Sequence, residues 1–322
     1  MSWSAEAERG SALLTRAGLA LVQGFGWPAG RVIASASAAW FLLRSPTARR
    51  ASADYLQRIL GRPATWADVA RHFDQFASGV LDRVLLLSGR DALYAIEVDG
   101  LEKLLAVLEE GRGAILLGAH LGSFEVLRTL ARRAPVPVWA LMYRRNAGAL
   151  TALLDRLAPH LRDRIIEIGD TASLIRAREC VERGEIVGIL ADRAPEGHRS
   201  VPAAFLGGTA HFPAGPFVLA ATLAAPVFLC HAVRVGKRRY RIGMAPFADR
   251  VVLRRSQREA DLRRVVACYA DSIAELCRAY PFQWFNFFPF WESPYFEAHD
   301  APSGPANPRA APAARLRSAR PG

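Results

Sequence analysis

His120 and Glu125 have the residue types and spacing for proton-transfer chemistry, within Gly113-Ala-Ile-Leu-Leu-Gly-Ala-His-Leu-Gly-Ser-Phe-Glu125. A histidine held near a carboxylate is a general base that can take the proton of an attacking hydroxyl. The carboxylate's part is to fix the imidazole tautomer and stabilise the imidazolium that forms. Gly118 and Gly122 flank the histidine and leave room for a ligand. The bland alternative is a hydrogen-bonded core histidine. Ser123 is a second candidate nucleophile, but no Gly-x-Ser-x-Gly elbow surrounds it and a helix cap explains it more simply. A zinc protease would require His-Glu-x-x-His, and no second histidine lies nearby, so no metal is expected. Cys180, Cys230, Cys268 and Cys277 show no Cys-x-x-Cys spacing and read as reduced, buried thiols of a cytosolic domain.

The elements that must hold this pair are legible in the periodicity. Ala114 to Leu117 is a short apolar run bounded by glycines, as in a buried strand. Val126 to Leu130 reads as part of a helix. His120 is therefore expected at a strand end beside a helix N-terminus, where α/β folds place their chemistry. Tyr94–Val98, Val136–Met142, Arg164–Ile168 and Ile186–Leu190 are further strand candidates. Phe228–Val233 and Tyr240–Met244 flank the basic turn Gly236-Lys-Arg-Arg239 and read as two more. Leu101–Leu108 and Gln257–Ala279 read as helices. The alternation predicts an α/β domain with a mixed, largely parallel sheet flanked by helices.

The chain has 322 residues, 51% of them hydrophobic, and a formal net charge of +12. The cations are nearly all arginine, with lysine only at Lys103 and Lys237. Such charge suits an anionic membrane face or an acidic substrate. Nucleic acid is the rival partner, and no nucleic-acid motif is evident. Residues 1–90 are expected to form a helical, membrane-associating region. Ala17–Gly30 and Val32–Leu43 carry no charge and are interrupted by Pro28 and Arg31. Each is shorter than the roughly 20 residues that span a bilayer. Together they either span with a kink or lie as two helices at the interface; the alternative is a soluble helical subdomain. Arg44, Arg49 and Arg50 follow, and either hold phospholipid headgroups or form a solvated face. Residues 91–299 are assigned to the α/β domain, and the Pro/Ala/Arg-rich residues 300–322 to a disordered basic tail.

In the order of its motifs the chain resembles the bacterial late acyltransferases of lipid A biosynthesis, within the wider lysophospholipid and glycerophosphate acyltransferases. His120-Leu-Gly-Ser-Phe-Glu125 is similar to their His-x4-Glu block. Met142-Tyr-Arg-Arg-Asn146, Glu182 through Arg193, Phe205-Leu-Gly207, Gly215 through Ala220 and Ala225 through Phe228 resemble the later blocks. The resemblance spans about residues 90–290. It implies a glycerophosphate-acyltransferase-like fold and transfer of an acyl group from an acyl carrier protein or coenzyme A thioester. The acceptor would be a hydroxyl of a lipid or glycolipid at the cytoplasmic face of the inner membrane. The thioester is a co-substrate, and no cofactor is implied. His120 and Glu125 become the catalytic pair, with Arg144, Asp192 and Arg193 as substrate-binding residues.

An arginine just past a strand contributes to a phosphate site or to oxyanion stabilisation; the family pattern favours Arg144 over its neighbour Arg145. Asp192 positions Arg193 or a backbone turn. Gly207 and Gly208 mark a loop of unusual backbone angles or close approach. His198 and His211 flank it, with surface or core roles expected. Two features depart from the family. Arg193 stands where glutamine is common, and the ending Gln283 to Trp291 resembles a subgroup associated with aryl polyene lipid pathways. The acceptor is therefore lipid A-type, or else an aryl polyene lipid or lysophospholipid. A hydrolase and a non-catalytic membrane-binding homologue are the remaining readings. Trp284–Trp291 holds six aromatics in eight residues. They form either an acyl-chain wall or interfacial anchor, or a segment sealing the core under the sheet.

Overall fold

The computed structural model describes residues 12–131, 134–142, 163–169, 171–193 and 197–291. Three helices come first. α1 (Ala12–Arg44) breaks at Gly26, whose φ of 71° lies outside the helical region, and Pro28 follows just beyond. The break falls inside the first uncharged stretch rather than at Arg31. That charge is accommodated instead: Arg31 Nη2 donates to both oxygens of Asp74 at 2.7 and 2.6 Å, pinning α1 to the third helix. Among the described residues no helix is long and apolar enough to cross a membrane. α2 (Pro46–Leu60) starts with proline in its first turn, where no N–H is missed, and ends on Gly61 in the left-handed region. Arg49 donates to the carbonyls of Leu42 (2.5 Å) and Leu43 (2.8 Å), satisfying acceptors that the end of α1 leaves without helical partners. α3 (Trp66–Leu87) begins with a capping box in which Thr65 and Asp68 each accept the other's backbone N–H.

The sheet follows: β1 (Ala95–Asp99), α4 (Leu101–Glu109), β2 (Ala114–Gly118), α5 (Phe124–Ala131), β3 (Val138–Met142) and β4 (Ile165–Glu167). α6 (Thr171–Glu182) and β5 (Ile186–Leu190) complete the central alternation. Then come β6 (Ser200–Phe205), β7 (Gly208–Pro213), α7 (Gly215–Leu223), β8 (Val227–Gly236), β9 (Arg239–Ala248) and α8 (Arg258–Ala279). Seven strands pair in the order β1-β9-β8-β2-β5-β3-β4, and all neighbours are parallel except β8 and β9. The predicted mixed, largely parallel sheet is present. The β6–β7 hairpin, a separate two-stranded sheet, was not legible beforehand. Pro202 lies within its first strand, opposite His211, and its turn places Leu206 at a φ of 47°, where a leucine is uncommon.

β2 is buried along its whole length, so its side chains alternate between two cores. Ile115 and Leu117 face a core shared with Tyr55 and Leu56 of α2, Phe73 of α3 and Tyr269 of α8. Ala114 and Leu116 face the other, with Leu85 of α3 and Tyr240 of β9. The N-terminal helices thus contribute to the same buried interior as the sheet. The tail at 300–322 lies outside the described residues.

Candidate active site

β2 and β5 run in parallel register with Gly118 opposite Leu190. His120 and Asp192 each come two residues past those strand ends, so the register sets them side by side. Asp192 Oδ1 lies 2.8 Å from His120 Nδ1, and Oδ2 accepts the His120 backbone N–H at 3.0 Å. A third donor, the indole Nε1–H of Trp284, reaches the same Oδ2 at 3.0 Å. A carboxylate only accepts, so Nδ1 carries the proton and Nε2 is left as the basic atom of the ring. Asp192 is fully buried, whereas the His120 side chain is 35% exposed. Burial would raise the Asp192 pKa. The facing imidazole, the Arg193 guanidinium and the His120 N–H outweigh it and hold the carboxyl well below the usual carboxylate range.

Glu125, expected to orient the imidazole, is directed elsewhere. It sits in the first turn of α5, nearly buried, with Oε1 2.9 Å from Arg83 Nη2 of α3. The helix turns its side chain toward α3, where a guanidinium is available, while strand register delivers Asp192 to the histidine. In this structure it is Asp192 that lies against the His120 ring nitrogen, while Glu125 pairs with Arg83. Arg193 is braced rather than open: Nη2 donates to the Phe285 carbonyl at 2.5 Å, Nε is 3.7 Å from Asp192, and the guanidinium lies 5.2 Å from the Phe288 ring centre. Burial draws its pKa down, and Asp192 and Tyr269 oppose that shift. Arg144, with Tyr143, Arg145 and Asn146, lies outside the described residues.

The loop carrying His120 is fixed by its backbone. Ser123 lies just ahead of α5, and its N–H bonds the Ala232 carbonyl at 2.8 Å. Gly122 has a φ of 73°, and a Cβ there would overlap the Ala232 carbonyl. The C-terminal segment runs alongside: Phe285 N–H donates to the His120 carbonyl at 3.0 Å, and Gly122 N–H to Gln283 at 2.8 Å. The aromatics of this segment differ in burial. Trp284 and Phe290 are buried, and Trp284 packs on Tyr55, Phe205 and Phe290 with ring centres 5.0, 5.3 and 4.9 Å apart. Phe285 and Phe287 are half-buried against Phe76 of α3, at 5.4 and 5.2 Å. Gly207 takes a φ of 77° in the hairpin turn, and Gly208 is tightly approached by Trp291. His198 is exposed, and His211 sits on β7 opposite Pro202.

Two residues behind the site, His72 and Ser52, were not singled out from the sequence. With Trp284 they form a buried chain behind Asp192: His72 Nε2 is 3.0 Å from the Trp284 carbonyl and Nδ1 is 2.8 Å from Ser52 Oγ. A buried tryptophan needs a partner for its N–H, which is the one signal that pointed here. The arrangement can accept a proton at Nε2 and stabilise the resulting imidazolium. The family model of bacterial lipid A biosynthesis acyltransferases matches residues 8–293. No curated protein matches the chain.

Proposed function

The chain belongs to the bacterial lipid A biosynthesis acyltransferase family, and from that membership we propose that His120, oriented by Asp192, catalyses acyl transfer from a thioester to a lipid hydroxyl. That the protein is an acyltransferase follows from the family; the donor, the acceptor, the site residues and the membrane setting are our reading. The observation carrying it is the 2.8 Å contact between His120 Nδ1 and a buried carboxylate at the ends of two parallel strands. The hydroxyl of a lipid A-type acceptor gives its proton to Nε2 as its oxygen attacks the thioester carbonyl. The tetrahedral intermediate collapses, the C–S bond breaks, and the thiolate of the acyl carrier protein or coenzyme A takes the proton back. The products are the ester and the free thiol. The thioester is already activated, so no acyl-enzyme is needed. Arg83, held by Glu125, offers a cation beside the site for an acceptor phosphate, a role that Arg144 shares. The half-buried Phe76, Phe285 and Phe287 supply an apolar wall for the acyl chain.

The protein works at the cytoplasmic face of the inner membrane, lying on it rather than spanning it. Val32, Trp40 and Leu43 support this, since all three are exposed on the outer face of α1. The aromatic ending favours a second acceptor class, the aryl polyene lipids, with unchanged chemistry. Purified protein supplied with an acyl carrier protein thioester or acyl coenzyme A is tested against a lipid A precursor, an aryl polyene lipid and a lysophospholipid. Acylated product is expected from one of them, and His120→Ala is expected to abolish it. Undiminished transfer by His120→Ala would sink the mechanism, and free fatty acid in place of ester would point to hydrolysis.

A further inference from the structure

The imidazole is oriented by a carboxylate, but that carboxylate must itself be oriented. Asp192 Oδ2 receives two N–H groups, one from the His120 backbone and one from the Trp284 indole, each at 3.0 Å. Among the described residues the charged and titratable groups around it are His120, Arg193 and, from α8, Tyr269 and Cys277. Among the described residues no other side chain donates a hydrogen bond to Oδ2; Arg193 Nε, the other nitrogen near it, stands 3.7 Å away. Trp284 is completely buried and is locked from three sides. Its ring packs on Tyr55 and Phe205, its backbone bridges to Leu121 in the histidine loop, and its carbonyl accepts His72. His72 in turn is held by Ser52 of α2. We infer that Trp284 is a positioning residue for catalysis. Its indole N–H aims the Asp192 carboxylate at His120, and the chain Ser52–His72–Trp284–Asp192–His120 ties the N-terminal helices to the reacting base.

This inference rests on the reading of His120 and Asp192 as the catalytic pair. Trp284→Phe keeps most of the ring packing and deletes the N–H. Loss of an interaction that matters in the transition state lowers kcat with little change in KM. Trp284→Phe is therefore expected to lower kcat about tenfold while the KM for the acyl donor stays within about twofold. A variant with wild-type kcat overturns the inference, as does one in which only KM or only thermal stability changes.

If the variant fails to fold, proton–nitrogen spectra of the wild-type protein decide. The Trp284 indole signal, identified by through-space contact to Asp192, should move with pH at the midpoint of the His120 ring signal. A Trp284 signal that stays fixed while His120 titrates overturns the inference. His120→Ala separates the two claims. Activity retained there removes the catalytic reading itself, whereas activity lost there but intact in Trp284→Phe removes the positioning role alone.

Discussion

Among the described residues Asp192 bonds the His120 imidazole, and neutralising it is the sharpest residue-level test of the mechanism. Asparagine in its place is compromised in either orientation. With its amide N–H toward Nδ1 it forces the wrong tautomer; with the amide toward the other side it opposes the N–H groups of His120 and Trp284. Asp192→Asn should reduce kcat by about 10²–10⁴-fold in a steady-state transfer assay. Glu125→Gln instead weakens the pair with Arg83. A loss under about tenfold is expected there, since glutamine removes the charge but keeps an oxygen that accepts from the Arg83 guanidinium. The opposite ranking of the two variants would refute the assignment. Both carboxylates were visible as candidates in the sequence. Which of them meets the histidine was not, because five residues of loop and helix leave the direction of Glu125 open.

At the scale of elements, α1 has two faces of different use. Ala34, Ala38 and Leu42 are buried in the interior, while Val32, Trp40 and Leu43 are 71, 50 and 67% exposed. Deleting the helix would strip the core as well as the outer face, so it cannot isolate membrane binding. The triple substitution Val32→Glu, Trp40→Glu and Leu43→Glu keeps good helix formers and charges only the outer face. It should release the protein from sedimenting anionic vesicles while leaving transfer to detergent-dispersed acceptor within about twofold, since small surface changes seldom disturb a distant site. Continued sedimentation would exclude this face as the anchor. Most elements were legible: the strands and the long C-terminal helix fall within a few residues of their expected bounds. Periodicity of apolar residues is a local property. The β6–β7 hairpin escaped because Pro202 and two alanines blunt the apolar alternation of its first strand, although Val201, Ala203 and Phe205 do alternate inward and Phe205 packs on Phe212 at 5.4 Å.

Across the whole molecule, the buried chain behind the site should give stability a defined pH dependence. Burial pushes the His72 pKa down to about 4 from its ordinary 6.5, against the opposing pull of the Trp284 carbonyl. The unfolded chain therefore takes up a proton near pH 6.5 that the folded protein resists until near pH 4. Stability from this group is complete above pH 6.5 and falls as the pH drops through that window, by about 3 kcal/mol in all. Asp192, whose pKa is depressed on folding, adds its own loss only below the ordinary carboxylate range. Urea midpoints measured at pH 7, 5.5 and 4.5 should fall steadily for the wild type and more shallowly for His72→Gln. Parallel slopes would show that His72 does not govern the acid transition.

The sequence by itself determined the alternation of strands and helices, the place of His120 at a strand end, and the resemblance to an acyltransferase family. Each rests on residues close together in the chain. Only the tertiary structure decided the partner of that histidine. Asp192 lies 72 residues away and Trp284 a further 92 beyond it. They meet because β5 pairs with β2 in one register and the C-terminal segment bridges back along the histidine loop. Parallel register is set by the packing of both sheet faces at once, and no local pattern records it.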